Sequence, residues 1–336
     1  MNLKPLILAG ALALTTAAEA RDVTDMTGRV VTLPDEINSV ITIGAVPVLN
    51  SFIFATGRAD AIANDLPPWA RNGGRHTWQY VFAPNLADNP QVEDAERTIG
   101  LETILTIGPD LAISFGQDVA DLLEANGIPT VIPRVQNAED VKATVALMGE
   151  VFGNETVGAE YAAWFDAAMA DLKERLQGVE TRPSVLYLNP LAMTQPHKVA
   201  EWWITQGGGD SVTNDGTDIE VRPLSTEFVL AADPDVLIVY TQDHITALKE
   251  DPNLSTLRAV QEGRMLAAPV GAHTWANRTA EQPLTVLWTA SQLHPDLYPE
   301  EELVAKVREF YQTFYSIDLT DEDVRHILAS KSRVEN

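Results

Sequence analysis

Three side chains suited to ligand chemistry, His76, Trp78 and Tyr80, recur at every second position, and Arg71 and Arg75 stand just before them. If residues 75–81 run extended, the three share one face. Imidazole, indole and phenol beside two guanidinium groups suit an anionic, aromatic or metal-chelate ligand, held by cation–π and charge-assisted contacts. The structural alternative is a loop that packs its aromatics on the domain. Direct metal ligation needs more. The six His fall in no H-x-H, H-E-x-x-H or His-rich run, and a bare zinc or manganese site needs three or four converging His and carboxylates. His76, His197 and His273 are the candidates. Axial haem ligation by His76 or Tyr80 needs only one or two residues and stands as an alternative. Asp215, Gly216, Asp218 and Glu220 resemble a calcium loop only superficially and read as a solvated turn. Catalytic signatures are absent: there is no G-x-S-x-G, no P-loop and no G-x-G-x-x-G. The chemistry expected is binding, not turnover, with no resident cofactor.

Composition narrows the partners. Asp+Glu 48 against Lys+Arg 23 gives a net charge of −25 over 336 residues. A surface so acidic repels phosphate backbones, so nucleic acid is excluded as a partner. With Cys 0, disulfides, iron–sulfur clusters, cysteine nucleophiles and Cys lipid anchors are excluded as well. Lys4, the apolar run 5–14 and the Ala18-x-Ala20 site before Arg21 read as a signal peptide. The run is too short to span a bilayer. The mature chain is therefore expected to start near Arg21, free in a periplasm and monomeric.

The elements that must position these side chains follow from pattern. Residues 22–33 read as a hairpin around Gly28, and 40–43 as a β-branched strand. Residues 47–55 read as a helix, and 59–63 as a strand. The stretch 64–90 carries no clear period, which marks a functional or mobile segment. Two segments then match: Glu102 with Pro109-Asp110 and an apolar strand, and Glu227 with Pro234-Asp235 and an apolar strand. Each predicts a short helix, a turn at Pro-Asp and a central strand. Their recurrence predicts two similar α/β lobes. Between them, apolar residues spaced three or four apart over 154–177 predict a helix of roughly 35 Å. The expected organisation is a signal peptide at 1–20, a lobe at 21–153, a connecting helix at 154–178 and a second lobe at 179–336. Residues 300–315 and 320–328 read as closing helices, the latter opening with a capping box at Thr320 and Asp323.

The hairpin from Val23 to Pro34, the two Glu…Pro-Asp repeats, the long helix and the segments from Arg264 to Gly271 and from Leu287 to Pro295 carry a resemblance. The chain resembles periplasmic binding proteins of iron–siderophore, haem and cobalamin ABC importers, over nearly the whole mature length. The resemblance implies a ligand cleft between two α/β lobes made rigid by the helix. It also implies that one surface Glu per lobe, here Glu102 and Glu227, docks on the membrane permease; a Glu in a first helical turn alone only complements the helix dipole. By the same resemblance the cleft is lined in the second lobe by His197, Trp203, Trp275 and Arg278, with His273 near them. Arg222 stands in a loop before Pro223 and joins this group. Adjacent Trp202 and Trp203 must divide between core and surface. The function expected is capture of an iron chelate, a ferric siderophore first, for delivery to an ABC importer. Haem, cobalamin or a free or chelated transition metal are the alternatives, with a periplasmic enzyme or sensor domain behind them.

Overall fold

A computed structural model describes residues 20–71 and 74–332. The expected signal peptide lies outside them, apart from Ala20. Strands β1 (Arg21–Thr24) and β2 (Val30–Leu33) pair antiparallel around the turn at Gly28. Two parallel sheets follow. The first orders β3 (Val40–Ile43), β4 (Leu111–Ser114) and β5 (Thr130–Val131) side by side. Ile62 adds a single parallel bridge on the outer side of β3. In the second sheet β6 (Ser184–Leu188) is flanked by β8 (Asp210–Ser211) and β10 (Val236–Val239), and β11 (Met265–Ala267) closes the far edge. A two-stranded ribbon joins β7 (Thr194–Gln195) to β9 (Arg222–Pro223). The second sheet thus begins at an inner strand, steps outward once and then crosses over to the other side; in the first, the single bridge at Ile62 stands where that outward step would be. This is the doubly wound order, in which ligands gather at the carboxyl ends of the strands.

The matched segments build the same unit twice. Helix Leu101–Ile107 ends at Gly108 and helix Thr226–Ala232 ends at Asp233, both in the left-handed region at φ 61° and 35°. Pro-Asp follows each, and the strand after it is buried throughout. Asp110 accepts the backbone N–H groups of Asn38 and Ser39 at 2.8 and 3.0 Å, which fastens β4 to the start of β3.

The long helix runs Glu155–Arg175, about 31 Å at 1.5 Å per residue. It buries Val157, Tyr161, Phe165, Ala168 and Leu172. Gly158 permits close approach to helix Ala138–Val151, because a Cβ there would stand 2.6 Å from Ala146. The Tyr161 hydroxyl donates to the carbonyl of Ala280 at 2.7 Å, tying the same helix to the second lobe. One apolar cluster is continuous from Val23 in the hairpin to Ile327 in the last helix. Helix Asp321–Leu328 opens with the expected capping box.

Two local expectations are corrected. Residues 59–63 are not a strand: Ala59–Ala61 form a 3-10 turn, and only Ile62 reaches the sheet. Residues 75–81 do not run extended, since Trp78–Phe82 is a short helix. Trp78 and Tyr80 stand two positions apart on that helix and His76 lies in the turn before it, so the three do not share the one face of an extended run. No described helix is long and apolar enough to cross a membrane.

Candidate functional site

The turn 74–77 meets the loop after β11 at the seam between the lobes. Nδ1 of His76 lies 3.0 Å from the Ala70 carbonyl, and its Nε2 lies 3.1 Å from Nδ1 of His273. A carbonyl only accepts, so His76 Nδ1 carries the hydrogen. Burial pulls this ring down to about 4, opposed by the Ala70 carbonyl and aided by Arg75. The same causes, burial first and then His76 and Arg75, hold His273 well below the usual imidazole range. Both rings are neutral at pH 7. His76 Nε2 must then accept from His273 Nδ1–H, and His273 Nε2 is left with a bare lone pair. His273 is partly exposed, and its Nε2 has no hydrogen-bond partner among the described residues.

Arg75 lies against two tyrosines brought by the second sheet. Its guanidinium sits 5.5 Å from the ring centroid of Tyr240, which in turn is 4.8 Å from that of Tyr187. Its only hydrogen bond among the described residues is a long one, 3.4 Å, to the Tyr240 carbonyl, and it forms no ion pair. Burial lowers its pKa, with the two tyrosines opposing. Arg75 Nε is buried without a hydrogen-bond partner, while the buried Tyr187 hydroxyl has the Tyr240 and Thr274 hydroxyls as its neighbours. Tyr187 and Thr274 are essentially inaccessible, at 0% and 1% exposure. A cleft of about 170 Å³ opens beside Arg75, walled by Thr241, Asp243, Val270 and Lys331. On the other side of His76, Trp69 meets its ring edge-on at 6.2 Å and carries the guanidinium of Arg97 over its face at 4.9 Å.

Beneath the seam runs a buried polar chain. Thr42 donates to Asn50 at 2.8 Å, and Asn50 to Gln79 at 2.9 Å. The Gln79 amide donates both to Pro47 of its own lobe at 3.0 Å and to Ala272 of the other at 2.7 Å. The Glu281 carboxylate accepts from Ala272 N–H at 2.8 Å, His273 N–H at 3.3 Å and the Tyr311 hydroxyl. Burial raises Glu281 to about 7 against these bonds. The loop that carries His273 and Thr274 is therefore held from below at two consecutive amides.

Other expected lining residues are elsewhere. Trp78, Trp203 and Trp275 have 0% exposure and no face to offer. Trp78 stacks on Phe82 and donates to the Lys331 carbonyl, Trp203 packs edge-on to Tyr187, and Trp275 reaches Tyr311. Trp202 keeps partial exposure, the expected division from Trp203. The Tyr80 hydroxyl is committed to Asp65 at 2.7 Å. His197 is 1% exposed, lies 3.0 Å from the Thr217 carbonyl and faces Glu201 at 3.3 Å, so its ring fastens a second-lobe loop. It does not join His76 and His273, and no group of three metal-ligating side chains forms among the described residues. Arg222 is spent on Asp215 and the Thr213 carbonyl. Arg278 pairs with Glu220 at 2.7 Å while its Nη2 stays buried and unpartnered. Glu102 and Glu227 are both exposed, each in the first turn of its helix.

A family model described as "Periplasmic binding protein" matches residues 74–270, more than half of the chain. The chain belongs to the periplasmic binding protein family. A periplasmic solute binding protein of Veillonella parvula superposes with a TM-score of 0.80 at 26% identity, covering 92% of this chain and 97% of that one. The molybdate-binding protein MolA of Haemophilus influenzae is 24% identical over 94% of this chain and 97% of its own, and its molybdate-bound structure gives a TM-score of 0.77. The structure of Helicobacter pylori CeuE with Ni(II) bound gives 0.71 at 15% identity, covering 92% and 99%. This periplasmic binding protein therefore has the two-lobed α/β fold of ABC-importer binding proteins and is not an enzyme.

Proposed function

We propose that this binding protein captures a compact oxyanion and delivers it to an ABC importer permease. The observation that carries the reading is the Arg75 guanidinium at the seam, which forms no ion pair, makes one long hydrogen bond to the Tyr240 carbonyl and keeps its Nε buried and unpartnered. Buried donors are costly to leave unmade, and the oxygens of an anion satisfy them. In a chain of net charge −25, a guanidinium that forms no ion pair suits an anion, with Lys331 as a second cation and Asp243 as the one carboxylate on the cleft wall. The cleft of about 170 Å³ is small beside the ~300–1,000 Å³ of drug-sized sites. The relative MolA, named for molybdate, supports the same class.

A second reading is the iron chelate, with a ferric siderophore first. It is favoured by the bare Nε2 of His273, which suits an open coordination position on a chelated metal. Calorimetric titration with molybdate, tungstate and sulfate, beside fluorescence titration with ferric chelates, separates the two. Tight chelate binding with no oxyanion binding overturns the first reading. An absorption band of bound haem lost in His76→Ala would replace both.

Export, cleavage near Ala20–Arg21 and a monomer in the periplasm belong to the same proposal. An N-terminal sequence of the periplasmic protein that begins at Met1 would overturn the cleavage.

A further inference from the structure

We infer that the outer edge of β11 takes up a short extended peptide, which adds as one more strand to the second sheet. Two ladder bonds fix which way this edge strand turns its backbone. Leu237 N–H donates to the Arg264 carbonyl at 3.0 Å, and Ala268 N–H to the Val239 carbonyl at 2.8 Å. In a parallel pair of this register Leu266 bonds to β10 with both its backbone groups, and Met265 and Ala267 turn theirs away. Among the described residues the N–H and C=O groups of Met265 and Ala267 make no hydrogen bond. Yet the two residues are only 8% and 6% exposed. Buried backbone groups are almost always paired, so these four call for a partner that itself carries amides.

The edge lies in a slot of about 380 Å³. Met265, Leu266 and Ala267 all line it. Side chains alternate between the two faces of a strand, so three consecutive residues border one cavity when it runs along the edge. Both walls are apolar. Met265 and Ala267 pack in one cluster with Ile245 of helix Gln242–Glu250. Leu266 packs on the other side with Trp288, Val304 and Leu328, from three further helices. A second copy of this chain is a poor occupant, because its own β11 is recessed to the same depth. An acyl chain would suit the walls and leave the four backbone groups unmet. Glu300 and Arg325, exposed beside the slot and in no ion pair among the described residues, offer both signs of charge, which matches a zwitterionic peptide. In strand addition the main-chain bonds give affinity, and the walls choose the side chains.

The test is amide hydrogen exchange of the protein, read residue by residue by NMR, with zwitterionic hexapeptides of alternating valine and threonine in both phases. In the free protein the Met265 and Ala267 amides should exchange faster than that of Leu266, which is bonded to β10. With peptide at about ten times its dissociation constant the two should slow by about tenfold, while Leu266 changes little. The same peptides N-methylated at every amide should give no protection, nor should decanoate. Val304→Glu, which puts a charge in the wall, should lose the protection while still unfolding cooperatively; if it fails to fold, the methylated peptides decide. No protection by either peptide overturns the proposal. Equal protection by the methylated peptides or by decanoate overturns it too, and makes the slot an apolar pocket only. Met265 and Ala267 amides as slow as Leu266 before any peptide is added would mean that the edge is already covered, by this chain or a second copy, and would overturn it as well.

Discussion

The Asp235 carboxylate accepts both the backbone N–H and the hydroxyl of Ser184, at 2.9 and 2.8 Å. It fastens β10 to the first residue of its parallel neighbour β6, as Asp110 fastens β4 to β3 in the other lobe. The two clamps share no partner, so their energies should add. Asp110→Ala and Asp235→Ala are each expected to cost about 1–2 kcal/mol, and the double variant the sum. Chemical denaturation of the three variants checks this; a large coupling energy would show that the two sheets communicate.

Arg75 is the fixed charge of the site. Arg75→Ala should weaken oxyanion binding by about tenfold to a hundredfold, the range for losing hydrogen bonds to a charged partner. Titration calorimetry reads the change. Unaltered affinity would place the anion elsewhere.

Glu281 gives stability a sign with pH. Its folded value of about 7 lies above the ordinary 4.5, so the folded chain holds a proton that the unfolded chain has released. The contribution is fully present below about 4.5 and lost as pH rises through 7. Denaturation midpoints should fall across that window, and Glu281→Gln should flatten this part of the profile.

Gly271 has no room for a side chain, since a Cβ would stand 2.0 Å from both Glu281 and the Tyr311 hydroxyl. Gly271→Ala should destabilise by about 1–3 kcal/mol through overpacking. Thermal unfolding tests it, and ligand affinity should fall as well, because the next residues carry His273 and Thr274.

Glu102 and Glu227 stand on the lobe surfaces. Glu102→Ala and Glu227→Ala should leave oxyanion affinity unchanged and depress uptake in vesicles containing the permease. Lost binding with normal uptake would reverse that assignment.

Much of the frame was legible from local pattern. The hairpin at Gly28, the repeated Pro-Asp units and the long helix each depend on residues within a turn or two of one another. The site was legible only at its edges. Arg75 and His76 stood out by residue type, but five residues of alternating aromatics fit a short helix as well as a strand, and Trp78–Phe82 takes the helix. Large aromatics also fill cores, which is where Trp78, Trp203 and Trp275 went. Tyr187 and Tyr240 were missed because one lies inside, and the other directly after, an apolar run that reads as a buried strand. The available signal was a hydroxyl at the carboxyl end of a parallel strand, where ligands gather. The pairing of His76 with His273 spans 197 positions, and no local pattern carries such a contact.

Gln79 gives the molecule a mechanical character. Its amide is shared between the two lobes, and pulling them apart would leave one Gln79 N–H and the Ala272 carbonyl without each other, at about 1–3 kcal/mol for each group left unpaired. Wide opening of the jaws is thus the expensive route for a solute to enter or leave. With that bridge in place, filling the site should alter the charge at the seam more than the spacing of the lobes.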